Sequence, residues 1–165
     1  MHGRHMCRFF SGSMFSYPLL ADYKWFWRLD SDSFILERIK KDPFAKMRKG
    51  GHVYGYMGVG REDEYLTTGL WPATQDYMKQ QGIKSIPSLL QHYLEDDGKQ
   101  STSIRQAVWD RSYYYTNFEI GYLPFFRSKK YQSFFAHLEA LGGFYHYRWG
   151  DAPIRLLGKR TNPLA

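Results

Sequence analysis

Asn117-Phe118-Glu119-Ile120-Gly121-Tyr122-Leu123-Pro124-Phe125-Phe126-Arg127-Ser128 opens the stretch that decides how this chain is read. Gly142-Gly143-Phe144-Tyr145-His146-Tyr147-Arg148-Trp149-Gly150-Asp151-Ala152-Pro153 closes it. A helix-patterned segment runs between the two. Ser128 can cap it, and Tyr131, Phe134, Phe135, Leu138 and Leu141 recur at the spacing of one helical face. Gly142-Gly143 supply its stop, and its aromatics read as core rather than as a ligand box. An acid stands at either end, Glu119 before the helix and Asp151 after it. Two carboxylates flanking one helix, each beside glycine and aromatic rings, point to a pocket more than to a surface.

Upstream, Tyr23 to Leu29 (Y-K-W-F-W-R-L) reads as a short buried strand running into Asp30-Ser31-Asp32. In open α/β sheets ligands collect at strand carboxyl ends. Two carboxylates one residue apart can share a hard divalent cation that also holds a diphosphate. The same triplet is equally an ordinary turn and helix cap, so spacing alone leaves metal site and turn level. Its position after a strand favours the metal.

The remaining chain supports these two stretches. Met6, Phe9, Phe10 and Met14 recur at near-helical spacing, with Phe9, Phe10 and Met14 read as core, until Pro18 ends the pattern. Glu37 to Arg48 is a charged helical segment interrupted at Pro43 and closed by Gly50-Gly51. His52 to Val59 alternates like a strand weakened by its glycines. Leu66 to Gln81 reads as a helix with Pro72 near its first turn and Gly82 as its stop. Ile86 to Leu94 is a further short helix, Glu95 to Gly98 a turn, and Lys99 to Gln106 a polar loop. No internal repeat or linker divides the chain, so residues 1–165 form a single domain or part of one.

Composition narrows the functional classes. Aromatic residues make up 19% of the chain, with 14 Tyr, 12 Phe and 5 Trp. That excess suits recognition of flat sugar faces or bases as well as a core. A formal charge of +7 favours phosphorylated or polyanionic ligands, but no long run of like charge marks a nucleic-acid tail. The single cysteine, Cys7, excludes an intrachain disulfide and a multi-cysteine zinc site. His52, His92, His137 and His146 lack ligand spacing. No apolar run is long enough to span a bilayer.

The following segments recur in one order over nearly the whole chain. They are Arg4-His5-Met6-Cys7-Arg8-Phe9 with Ser11-Gly12, Trp27-Arg28 before the acidic triplet, and Asn117-Phe118-Glu119-Ile120-Gly121. Phe126-Arg127-Ser128, Gly142-Gly143-Phe144-Tyr145 and Arg148-Trp149-Gly150-Asp151-Ala152-Pro153 complete the set. Together they resemble the fungal-type glycolipid and glycoprotein α-1,2-mannosyltransferases of glycosyltransferase family 15. The resemblance implies a GT-A-like α/β fold, the Rossmann-like fold of nucleotide-sugar transferases, here a partial catalytic domain incomplete at both ends. It implies a GDP-mannose donor, a mannoside or glycan acceptor, Mn²⁺ (with Mg²⁺ as the other hard cation), and retention of configuration. It also implies a type II membrane protein of the Golgi lumen that serves protein glycosylation, its anchor outside this chain.

Residue by residue, Glu119 matches the family's proposed catalytic carboxylate and Asp30 the acid that contacts the metal. Asp32 joins Asp30 at the metal, and Arg28 and Arg148 are suited to phosphate or acceptor contacts. Trp149 can pack on an apolar sugar face and Asp151 can accept from acceptor hydroxyls. Arg148 and Asp151 are also close enough for a plain structural ion pair. The chain departs from the family's pattern in four ways. Asp30-Ser31-Asp32 replaces Glu-Pro-x, and Gly3 stands where a tyrosine near the donor sugar is expected. Tyr113-Tyr114-Tyr115 replaces a cysteine and a histidine, and a later metal-binding histidine has no counterpart. Two other readings stay open: a non-catalytic module binding glycans or single-stranded nucleic acid, and an inactive remnant of the enzyme.

Overall fold

The computed structural model describes residues 2–95 and 103–161. Two small antiparallel sheets carry the strands. The first is three-stranded, with β5 (Phe118–Tyr122) in the middle, β1 (Trp25–Leu29) on one side and β2 (Tyr54–Tyr56) on the other. The second pairs β3 (Val59–Arg61) with β4 (Ser112–Tyr114). The register of the first sheet places Arg28 opposite Glu119 and Glu119 opposite Tyr56. Directly opposite residues of antiparallel strands share a face, so these three form one cross-strand row. The row behind it is Phe26, Gly121 and Tyr54. Gly121 is required there, because a Cβ would meet the Phe26 ring at 2.1 Å.

Helices cover that face. α1 (His2–Ser11) packs against α8 (Asp151–Thr161), and α6 (Lys129–Ala140) lies against α8 and against α3 (Leu70–Gln80). Short helices α2 (Pro43–Lys49), α4 (Ser88–Gln91), α5 (Leu123–Phe126) and α7 (Gly143–His146) fill the corners. α6 follows its sequence pattern: the Ser128 hydroxyl accepts from the Tyr131 amide, and Tyr131, Phe134, Phe135 and Leu138 are buried. Leu141, beyond the last turn, is 51% exposed. Gly142 ends the helix at φ +68°, a left-handed conformation suited to glycine. Phe15 stacks on Phe126 at 4.5 Å, and with Phe26 and Tyr131 they build an aromatic floor under the sheet.

Several expectations are corrected. The strand ahead of the acids is half-buried and lies at a sheet edge, paired antiparallel with β5 rather than set within a parallel sheet. Phe9 projects outward and Phe10 is partly buried, while Met14 does enter the core. Helix α2 begins only at Pro43, where Asp42 caps it, because proline is favoured in a first turn and disfavoured in an interior. His52 to Val59 divides into the ends of two strands around Met57-Gly58, one in each sheet. Asp96–Thr102, within the expected turn and polar loop, lie outside the described residues.

Candidate active site

Helix α8 decides how the cross-strand row is used. Asp151 opens it, where a carboxylate favours the positive end of the helix dipole, and Pro153 sits in its first turn. Asp151 and Arg155 are four residues apart and therefore share a face. That face meets the sheet. Arg155 donates from Nη2 to Glu119 Oε1 at 3.1 Å and from Nε to Oε2 at 3.2 Å. The Tyr54 hydroxyl donates to Glu119 Oε2 at 2.5 Å. Both carboxylate oxygens are thus occupied, and neither Glu119 nor Arg155 is exposed.

The surrounding groups complete the pair. Arg155 also donates to the Phe10 carbonyl at 3.1 Å and to the Tyr131 hydroxyl at 3.4 Å. Tyr131 in turn donates to the Ser11 carbonyl at 2.9 Å. The guanidinium lies over the Phe15 and Phe126 rings, 4.8 and 4.9 Å from their centroids. Burial opposes the charge on Arg155, but Glu119 more than compensates, so its pKa rises above the usual arginine value. Burial, reinforced by Glu119, drives the Tyr54 phenol well above its ordinary range and keeps it a donor.

Arg28 joins this centre to the acidic turn. Its Nε donates to Asp30 Oδ1 at 2.8 Å and its Nη1 to Asp151 Oδ2 at 2.6 Å, with Glu119 Oε1 3.9 Å from Nη1. The Phe10 ring lies 4.1 Å beneath the guanidinium. Burial works against Arg28's charge, and Asp151 leads the groups that outweigh it, leaving its pKa raised. Three carboxylates, Asp30, Glu119 and Asp151, therefore face two guanidiniums. Fully ionised, that set carries one negative charge in excess inside a chain that is strongly positive overall. Cys7, beside Asp151, remains a thiol: burial, then the Asp151 charge, pushes its pKa up.

Of the residues singled out from the sequence, Glu119, Arg28, Asp30 and Asp151 come together. Asp32 does not join them. It is exposed on a turn in which the Ser33 amide donates to the Asp30 carbonyl at 2.9 Å. Trp149 is 2% exposed, its Nε1 donates to the Thr68 carbonyl at 2.7 Å, and its ring lies against Gly143. It is a core residue with no face to offer a sugar. Arg148 is exposed, with φ +60° and its guanidinium beside Gly3. The alternative reading of an Arg148–Asp151 ion pair gives way to an Arg28–Asp151 pair. Among the described residues, no three His, Cys, Asp or Glu side chains are placed to hold a metal ion. Asp30 already serves Arg28, so Asp30 and Asp32 by themselves do not complete a site for a hard cation.

Sequence reading missed Arg155 and Tyr54. A signal for Arg155 was present: one arginine within Ile154, Leu156 and Leu157 implies a buried charge in need of a partner. Nothing in the sequence paired it with Glu119, 36 positions earlier.

Comparison with known proteins identifies the lineage. The family model described as glycolipid 2-alpha-mannosyltransferase matches residues 2–161. The chain belongs to that family. A probable mannosyltransferase of Saccharomyces cerevisiae is 37% identical over 152 residues, covering 92% of this chain and 36% of the relative. An O-glycoside alpha-1,2-mannosyltransferase homologue of Schizosaccharomyces pombe is 34% identical, covering 92% and 39%. The core-mannan synthase A of Aspergillus fumigatus, solved in a Mn/GDP form, superposes with a TM-score of 0.84 at 29% identity. It covers 96% of this chain and 43% of that one. The S. cerevisiae mannosyltransferase Ktr4p in complex with GDP gives a TM-score of 0.81 at 31% identity, covering 96% and 40%. The chain thus spans about two fifths of the length of such relatives, and its α/β fold is GT-A-like.

Proposed function

We propose that this chain supplies the carboxylate-lined part of the active site of a retaining α-1,2-mannosyltransferase. The reaction is transfer of mannose from GDP-mannose to a mannoside acceptor in protein glycosylation. The observation that carries the reading is the convergence of three carboxylates, Asp30, Glu119 and Asp151, around Arg28, with Arg155 on Glu119. Glycosyl transfer builds positive charge at the anomeric carbon, and fixed negative charge nearby lowers that barrier. Family membership and relatives solved with GDP support the donor class.

Glu119 is the catalytic carboxylate of this proposal. Its complete enclosure, with both oxygens hydrogen-bonded, favours a fixed stabilising charge over a nucleophile. Arg28 holds the donor phosphates, and buried Asp151, 2.6 Å from its Nη1, fixes that guanidinium. Asp30 and Asp32 are assigned to Mn²⁺ (or Mg²⁺). The proposed location is the Golgi lumen, in a type II membrane protein. No helix among the described residues is long and apolar enough to cross a membrane.

The enclosure of Glu119 also favours a second reading, a non-catalytic glycan-binding remnant. GDP release from GDP-mannose with Mn²⁺ and a mannoside acceptor separates the two in the full-length protein. Glu119→Gln is expected to slow release by roughly 10²-fold or more, the scale of losing a preorganised electrostatic group. Equal rates from the parent protein and a folded variant would sink the catalytic reading.

A further inference from the structure

Tyr56 is the outermost member of the Arg28–Glu119–Tyr56 row and, unlike its two neighbours, is open to solvent, at 37% exposure. Asp30, 31% exposed at its side chain, is the accessible group at the opposite end. The centre of the row is closed. Tyr56 is held rigidly: its ring stacks on buried Tyr114 at 4.1 Å and 23°, and on Tyr54 at 5.9 Å and 28°. Its hydroxyl interacts with Tyr93, to which Arg160 donates at 3.2 Å. Met57 and Tyr115 are exposed beside it, where the Tyr115 amide donates to the Gly58 carbonyl at 3.0 Å and continues the β3–β4 pairing. A preset ring with an apolar face and a polar tip costs little entropy to use in recognition.

Resting on the proposed transferase reading, we infer that Tyr56 is the platform for the acceptor pyranose, packing its ring against the sugar's C–H face at the end of the row remote from Asp30. Position argues for a sugar rather than a base. Directly opposite side chains stand about 5 Å apart at Cβ, so Tyr56 lies within one pyranose breadth of Glu119. The guanine of the donor is separated from the anomeric carbon by a ribose and a diphosphate, too far to share that place. Arg28 and Asp30 take the phosphate end, which leaves the acceptor on the tyrosine side.

The test uses the full-length protein with Tyr56→Leu, which keeps bulk against Tyr114 but removes the flat ring, and with Tyr56→Trp, which keeps a ring. Loss of a ring–sugar contact is expected to raise the acceptor KM about tenfold in Tyr56→Leu. The donor KM and acceptor-free release of GDP should hold within about twofold, and Tyr56→Trp should stay near the parent protein. Saturation-transfer NMR with methyl α-mannoside reads the same contact without turnover. If transfer is absent from the parent protein but mannoside binding disappears in Tyr56→Leu, the catalytic reading falls and the platform stands. Mannoside binding unchanged in folded Tyr56→Leu overturns the platform, as does a loss of GDP affinity equal to or larger than the loss for the acceptor.

Discussion

Glu119 and the Asp30–Asp32 turn are both acidic, lie one strand apart, and have opposite environments. Glu119 has no exposed surface and is met by a guanidinium fork and a phenol. Asp30 is partly open and shares Arg28 with Asp151, while Asp32 faces water. A buried charge is tolerable only with full compensation, whereas a solvated one needs none. The first acid is therefore tied to stability as well as to its proposed chemistry. Of the second pair only Asp32 is free in water, since Asp30 also holds Arg28 at 2.8 Å.

Arg155→Met is the sharpest way to break this contrast. It leaves Glu119 buried without its counter-charge and is expected to cost about 3–5 kcal/mol in urea or thermal unfolding. A loss below about 1 kcal/mol would mean that Glu119 escapes to water or takes up a proton, and the pair is not what closes the site. Tyr54→Phe removes one hydrogen bond to the same carboxylate and should cost about 1.5–3 kcal/mol, with the fold retained by circular dichroism.

Lys159 tests the intermediate case, a half-buried cation on α8 next to Arg160. Burial first, then Arg160, lowers its pKa from 10.5 to about 8. Folding favours the neutral amine, so the unfolded chain binds more protons between those values. Relative to a Lys159→Met variant, stability contributed by Lys159 is present above pH 10.5 and lost as pH falls toward 8. The variant should match or exceed the parent protein below pH 8, with the gap narrowing as pH rises. A pH-independent difference between them would show that Lys159 titrates normally.

At the small end, Asp30→Asn and Asp32→Asn should each change unfolding free energy by no more than about 1 kcal/mol. Isothermal titration with Mn²⁺ in the full-length protein should nevertheless show weakened binding for both. Unchanged Mn²⁺ affinity in both variants would remove the turn from the metal assignment.

The helix at 129–140 was legible because its information is local. A capping serine, a 3–4 spacing of apolar residues and a glycine stop act within one element, and the structure follows each of them. The strand before the acids was legible for the same reason, but its burial and its antiparallel pairing were not. Trp149 marks the limit of reading chemistry from residue type. An indole beside glycine and charge resembles a sugar platform, yet a glycine neighbour equally lets it lie flat in a core. Tyr56 is the converse: one tyrosine among 14 in the sequence, distinguished only by its register opposite Glu119.

The sequence by itself determined the residue types that match the family's pattern, their order, and the helix between Glu119 and Asp151. Tertiary structure decided which charges meet. Arg28 and Asp30 are two residues apart, but Arg28 lies 123 positions from Asp151, and Arg155 lies 36 from Glu119. No local pattern links such distant positions. A buried carboxylate must nevertheless find a partner, and strand register together with the helical face of α8 made Arg155 that partner.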